Sequence, residues 1–444
     1  MFMSCKRDLA IVVDGYSSGT QIAPAFRAKG VECVHVRSVA EVTDDYGTTF
    51  KAHDFIDNFL FSDISSLRSK LTGRNVRWVV PGSELGVDLA ATLADTFETE
   101  LRNDGSRAEC WRNKFKMHEA LHHAGVRAIP HILSKDKTEI MAWVDRVAGY
   151  PVVIKPKASS GTDNIHICQT REDLAIAFDA VMGALDAFLV RNTDVLAQVF
   201  LENEPYEAPE QHDQSSDVEY CVNTVSLDGE HFVSDVIKVY RVRMGDNPVH
   251  DYNELLCPVA DAEAYDVFGS YIGEVLDTLG IKNGPAHSEI MVVKGQPVLL
   301  EAAARMPGSN DMSAYSKALG ISQVELWMLA CTDQDAFRVL ARRPRVPLRY
   351  HSSCVFLISE ISGKITQQPD ISQWTLLPEL HSASLQNKGS LLRTTDLNNV
   401  PGYVFLLAKD RAVLPARRAA LRAAEQGIYR QMTAPICVEQ HKVA

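Results

Sequence analysis

The chain has 444 residues, 46% of them hydrophobic and 23% charged, a balance that suits a globular protein of about three domains and excludes a disordered or fibrous one. Its 45 Lys and Arg against 57 Asp and Glu leave a net charge of -12, which argues against nonspecific nucleic-acid binding and requires any nucleotide to be held by a local positive site. Nine cysteines without a CxxC pair read as reduced thiols of a cytoplasmic protein, and no run approaches the ~20 apolar residues of a membrane span.

The apolar run Leu9 to Val13 stops at Asp14, too short for a signal peptide, and reads as a first buried strand. A loop from Asp14 to Thr20, a helical stretch to Lys29 and a second strand, Cys33 to Val36, make a β-loop-α-β start of the kind found in parallel sheets. Gly15 and Gly19 in that loop invite a dinucleotide reading, but the full GxGxxG spacing is missing. The strand Trp78 to Val80 ends in Pro81-Gly82-Ser83-Glu84 before a helix to about Leu93. Ligands gather at the carboxyl ends of such strands, so Ser83 and Glu84 are candidate substrate contacts, with a helix cap and acidic first turn as the alternative.

A helix from Arg107 to Gly125 carries Arg112, Lys114 and Lys116, which on their own read as a solvated face. The strand through Val152, Val153 and Ile154 then delivers Lys155 into Ala158-Ser159-Ser160-Gly161-Thr162-Asp163-Asn164, a small, hydroxyl-rich loop. Such a loop brings backbone N–H groups to phosphate oxygens while the lysine supplies charge, although no Walker A sequence is present. After a helix from about Arg171 to Ala187, the strand Val195 to Leu201 leads into a polar segment, Glu202 to Asp217. Glu219 opens the strand Tyr220 to Ser226, which turns at Asp228-Gly229 into His231 to Tyr240 with Lys238 near its end. A helix follows from about Ala262 to Leu279; beyond Asn310 come helices to about Leu340, a β-containing stretch from His351 to Leu407 and a last helix, Leu414 to Gln431.

The most informative stretch is Ala286 to Asn310, which reads as a β-hairpin: Ile290 to Val293 and Val298 to Leu300 flank Lys294-Gly295-Gln296-Pro297. Glu289 and Glu301 lie near the ends away from the turn. A plain two-residue loop would put them on opposite faces, whereas an odd-length or bulged turn sets them side by side. Two carboxylates on one face repel unless a cation lies between them or one takes up a proton, and a hard divalent ion shared with phosphates is the natural resolution. Arg305 is near enough to reach the same anion with its planar fork. Ordinary surface charge is the alternative for the pair. His287 shares the strand face of Glu289 and reads either as a substrate contact or catalytic base for the amine, or as a hydrogen-bonded structural histidine.

Lys155 before its small-residue loop, Glu219 on a later strand, then Glu289 and the Glu301-to-Arg305 segment form an ordered set that resembles the ATP-grasp superfamily. The resemblance spans nearly the whole chain, and the HSE strand and EAAAR ending most resemble the L-amino-acid ligases that make dipeptides. It implies an α/β and α+β fold, with a Rossmann-like parallel-sheet domain (1–105), linker helices and a small ATP-grasp subdomain (106–200), a large subdomain bearing the hairpin (201–345) and a β-containing C-terminal extension (346–444) packed on it. It also implies ATP and Mg2+, as two ions with Mn2+ as a substitute, small amino-acid substrates and a homodimer.

By the same resemblance Lys114 and Lys155 contact phosphates, Ser160 and Gly161 lie in the phosphate loop, Gln198, Val199, Phe200 and Leu201 meet the adenine edge, and Glu219 holds the ribose. Lys238 lies near the phosphates, Glu289 and Glu301 bind Mg2+, Arg305 steadies the transferred phosphoryl group, and Gly308, Ser309 and Asn310 line an amino-acid pocket. Many superfamily members carry Asn as a further metal ligand where this chain has Ala303, which puts the two-ion count in question. The loops Ser159 to Asn164 and Glu202 to Asp217 are candidate lids. The reaction expected is acyl-phosphate-dependent joining of a carboxylate to an amine; the alternatives are bicarbonate as the carboxylate and a nucleotide-binding regulator without catalysis.

Overall fold

The computed structural model describes residues 8–42, 47–158, 164–186, 190–203, 218–244, 247–308, 311–396 and 399–435. The N-terminal stretch forms a parallel sheet, β1 (Asp8–Val13), β2 (Glu32–Arg37), β3 (Asp57–Leu60) and β4 (Asn75–Pro81), in the order β3-β2-β1-β4. Every residue of β1 from Leu9 to Val13 is fully buried, as expected of a central strand covered on both faces. The glycines of its loop serve close packing: a Cβ on Gly19 would stand 2.0 Å from the Gly82 carbonyl oxygen, and one on Gly82 would stand 2.5 Å from Gly15 Cα. Two backbone turns thus touch at the carboxyl ends of β1 and β4, which accounts for the glycines without a dinucleotide.

A small antiparallel sheet follows, made of β5 (His131–Ser134), β6 (Val152–Lys155), β7 (His166–Cys168) and β8 (Val195–Val199) in the order β5-β8-β6-β7. The helices Lys137–Trp143 and Arg171–Val181 bury one of its faces through Ile140, Leu174, Phe178, Val152, Ile154 and Ala197. Alternation therefore turns Val153, Lys155, Leu196 and Gln198 to the other face.

The remainder is organised by one eight-stranded sheet. Its strands are β9 (Val218–Leu227), β10 (Glu230–Met244), β11 (Asn247–Leu255), β12 (Gly284–Val293), β13 (Gln296–Ala303), β14 (His351–Phe356), β16 (Leu380–Leu385) and β18 (Gly402–Ala408), in the order β13-β12-β9-β10-β11-β14-β18-β16. The side strands β15 (Gly363–Ile365), β17 (Leu391–Leu392) and β19 (Thr433–Pro435) make a separate three-stranded sheet. The 346–444 stretch thus continues the sheet of the preceding residues through the β11–β14 ladder as well as packing on it.

One face of the large sheet is covered by the helix Ala262–Leu279, whose Tyr265, Phe268, Ile272 and Val275 pack against Tyr220, Val222, Val236, Ile290 and Leu299. On the opposite face, the helices Met312–Leu319 and Gln323–Thr332 cover Cys221, Val225, Leu227, Ile237 and Val239. The acidic residues expected from the hairpin stand on this second face.

Candidate active site

The hairpin turns through Lys294 and Gly295, both at positive φ (51° and 71°), between the paired Val293 and Gln296. This is the two-residue loop that would place the glutamates on opposite faces. A bulge at Leu300 compensates: Ile290 pairs with Leu299, and Glu289 pairs with Glu301. Leu299 points to the helix-covered face, so in a regular strand Glu301 would join it there; the extra residue turns Glu301 to the face of Glu289. The irregularity expected in the turn sits in the ladder instead.

Lys114, at the start of the helix Lys114–His123 capped by Asn113, places Nζ 2.8 Å from Glu301 Oε2. Its backbone N–H donates to the Lys157 carbonyl at 2.7 Å, tying this helix to the chain just past β6. Lys155 is 7% exposed; burial and then the charge of Lys114 push its ammonium down to about 7, against the opposing pull of Glu301, Glu289 and Glu219. The same convergence separates the two carboxyls. Burial raises Glu301, with the charges of Glu289 and Glu84 outlasting the help of Lys114, whereas for Glu289 burial is outweighed by His287, Lys114 and Arg241, which hold it near 2.

The face opposed to this cluster carries Gln198 from the small sheet, 1% exposed, whose Nε2 has no partner among the described residues. An orphaned buried amide beside an inward-facing lysine fits a polar ligand bound between the two sheets. The donor set also fits a divalent cation: paired carboxylates on one face, with a lysine already neutralising one of them. Among the described residues no three His, Cys, Asp or Glu side chains form a metal site by themselves, so the remaining ligands would come from a substrate or water. Glu219 is buried and ion-paired with Arg241, a partner that the sequence reading did not single out.

Several expected residues fall elsewhere. Lys238 stands directly opposite Tyr220 and Glu254, on the face away from Glu219, Glu289 and Glu301. Its Nζ lies 4.9 Å from the Tyr240 ring centre, in a neighbourhood where Arg411 and Arg418 hold Glu254 at 2.8 and 2.6 Å. It is therefore not brought to the face of Glu289 and Glu301, because strand alternation separates it from Val239 and Glu219. The Val199 N–H already donates to Pro130 O at 3.0 Å, which leaves Phe200 and Leu201 to offer backbone groups. Ser160, Gly161, Ser309 and Asn310, with most of both candidate lids, lie outside the described residues.

Glu84 does not offer its carboxylate to a small molecule directly. It is 3% exposed and clamped by two guanidiniums, Arg305 Nε at 2.6 Å and Arg112 Nε at 3.1 Å, whose charges overcome its burial and lower its pKa. Arg305 also donates from Nη1 to Met306 O at 2.8 Å. The N-terminal sheet thus orients the arginine of the hairpin across 221 residues of sequence. Arg112, read from sequence as surface charge, is part of that clamp. Beside it Ser83 Oγ is buried and unpartnered among the described residues, and Ser18 Oγ donates to the Pro307 carbonyl, so the chain leading to Gly308 docks on the β1 loop.

No family model matches the chain. It is 29% identical to dapdiamide A synthase of Enterobacter agglomerans over 439 residues, 96% of this chain and 97% of that protein. It is 25% identical to alanine–anticapsin ligase of Bacillus subtilis over 244 residues, covering 53% and 50% of the two chains. Among solved structures it superposes on an L-amino acid ligase from Bacillus licheniformis with a TM-score of 0.72 at 15% identity, covering 94% and 97% of the chains. A fungal carboxyaminoimidazole ribonucleotide synthase complexed with ATP gives 0.65 at 15% identity, over 95% and 99%. The chain has the fold of the ATP-grasp ligases.

Proposed function

We propose that the protein is an ATP-dependent carboxylate–amine ligase that joins two L-amino acids, or an amino acid and a related amine, and releases ADP and phosphate. The observation that carries this reading is the meeting of Glu289 and Glu301, opposed on one sheet face, with Lys114 and Lys155 from two other elements. That is a phosphoryl-transfer constellation. The full-length relative is named as a synthase, and the name of the second relative couples alanine to anticapsin, which supports an amino acid as one substrate.

A carboxylate resists attack by an amine because its oxygen leaves poorly. Attack of the carboxylate oxygen on the γ-phosphorus of ATP expels ADP and gives an acyl phosphate; attack of the amine nitrogen on its carbonyl carbon then expels phosphate and releases a proton. Glu289 and Glu301 would hold Mg2+, which when bound neutralises phosphate charge. Lys155 and Lys114 would hold phosphate oxygens, Gln198 with the Phe200–Leu201 backbone the base, and Glu219 the ribose. Arg305, aimed by Glu84, would face the transferred phosphoryl group, where positioning and charge do most of the catalysis. Ser83 and the chain at Gly308 would border the amino-acid substrates. A cytoplasmic homodimer completes the reading, with light scattering as its check; among the described residues no helix is long and apolar enough to cross a membrane.

The test is phosphate release from Mg-ATP against pairs of amino acids, with mass spectrometry of the products. ADP together with a new amide mass establishes the ligase. AMP would overturn the acyl-phosphate route. A second reading, a carboxylase, draws on the carboxyaminoimidazole ribonucleotide synthase likeness and predicts turnover that depends strictly on bicarbonate.

A further inference from the structure

Glu219 carries the ribose in the reading above, yet it is only 5% exposed, and a buried carboxylate needs a partner in place before any nucleotide arrives. That partner is Arg241, whose Nη2 meets Glu219 Oε2. Glu219 of β9 stands directly opposite Val239 of β10, and Arg241 is the next residue of β10 on the same face. The last described pair of this ladder is Tyr240 with Val218, so Arg241 starts beyond it and its side chain runs back along the face to reach the acid.

The strand on the other side of β10 bears on this pairing. Tyr240 pairs with Tyr252 of β11, and a regular antiparallel ladder would bring Asp251 directly opposite Arg241, on the same face and within reach of its guanidinium. The register slips instead: Arg241 pairs with His250, and Asp251 is the extra residue. Asp251 is taken up by Arg422 of the helix Leu414–Met432, whose Nη2 lies 2.5 Å from its Oδ1. Arg241 therefore stands opposite a histidine, which brings no negative charge, and Glu219 keeps a guanidinium that Asp251 would otherwise share. Bulges recur beside active sites, where they re-aim a side chain; this one withdraws an acid from the face where Glu219 stands.

We infer that Arg241 is a positioning residue: it fixes the carboxylate of Glu219 toward the nucleotide ribose, and the preference of the protein for ribonucleotides over deoxyribonucleotides depends on it. A guanidinium suits the task because its planar, always-charged fork orients a carboxylate, whereas an ammonium acts as a point charge. The inference rests on the reading of Glu219 as the ribose ligand; the ion pair and the bulge beside it stand on geometry alone.

Calorimetric titration of the whole protein with ADP, 2′-deoxy-ADP and 3′-deoxy-ADP in the absence of metal tests the inference without any amino-acid substrate. The unmodified protein should favour ADP about tenfold or more over the analogue that lacks the hydroxyl held by Glu219, as expected of a hydrogen bond to a charged group. Glu219→Ala should erase that preference. If the preference survives there, or is absent from the unmodified protein, the ribose reading fails and the inference with it. With the preference shown to depend on Glu219, Arg241→Met should reduce it to about threefold or less, by weakening ADP while leaving the deoxy analogue nearly unchanged. A pair that serves stability alone would lower the melting temperature and leave the ratio of affinities where it was; that result in folded Arg241→Met protein overturns the inference and spares the ribose reading. Should the methionine variant not fold, Arg241→Lys decides, since it keeps a cation beside Glu219 without the fork: its preference should fall about threefold or more, and an unchanged preference overturns the inference.

Discussion

Nucleotide binding should draw a proton onto Lys155. Burial and Lys114 bring its ammonium down to about 7, so near pH 7 about half the unliganded molecules hold it neutral. Triphosphate oxygens beside the amine favour the charged form and raise its pKa. Binding at pH 7 then takes up about 0.5 proton, rising to about 0.9 at pH 8 and falling to about 0.1 at pH 6. Calorimetry of Mg-ATP binding in two buffers of different ionisation enthalpy reads this number directly, and Lys155→Met should remove it. Uptake that is zero, or that does not grow between pH 6 and pH 8, refutes the assignment of Lys155 to the phosphates. The sign also fixes a stability trend. Since the unfolded lysine binds its proton more tightly than the folded one, stability rises with pH from about 7 toward the ordinary lysine value of 10.5. Lys155→Met should therefore melt higher than the parent at pH 6, with the gap closing as pH rises.

Other outcomes follow from the placement of charge. Glu84→Gln leaves Arg305 and Arg112 facing a neutral amide in a buried setting and should cost about 3 kcal/mol in urea unfolding, together with a fall in kcat. An unchanged kcat would show that Arg305 does not depend on this clamp. Glu301→Gln should abolish turnover, by about a hundredfold or more, while raising the melting temperature at pH 7. The raised folded-state pKa of Glu301 means that stability is lost as pH rises through that value, so the gain should vanish near pH 4. Lys238→Met should reduce stability but change kcat by less than about threefold, because the side chain faces Glu254 and Tyr240 on the far side of the sheet. A large loss of kcat in a well-folded Lys238→Met protein would contradict the strand register.

Much of this was legible in the sequence because periodicity and chain order carry it. The runs ending at Val13, Val80 and Lys155 are strands in the structure, and the helix expected at Ala262 to Leu279 has those bounds. The strand Asn247–Leu255 was missed: its Asn, Pro, His, Asp and Asn residues carry no apolar alternation, and it is held by ladders to β10 and β14 on either side. Arg112, Arg241 and Asn223 were illegible for another reason. Each takes its meaning from a partner in a distant strand or domain, and a single sequence shows spacing along the chain rather than across it.

The bulges at Leu300 in β13 and Ser234 in β10 explain why the acidic face in particular resisted reading. Leu299 and Glu301 share a parity in β13, as Val233 and Asp235 do in β10, and a period-two reading assigns each pair to one side of the sheet. In both cases one inserted residue, Leu300 or Ser234, leaves the apolar member against the helix Ala262–Leu279 and turns the acid to the opposite face. The pair Glu289–Glu301 and the row in which Asp235 stands opposite Asn223 and Asn223 opposite His287 thus depend on local breaks in the rule by which strands are recognised. A carboxylate here is costly to bury unless its partners are in place, and Lys114 and Asn223 supply them at 2.8 and 2.6 Å. The sheet gives up regular pairing at these two points and gains a face on which acids, amide and imidazole meet in register. That exchange makes sense for a protein whose chemistry needs charge held still, since neither bulge adds apolar burial that a regular strand would lack.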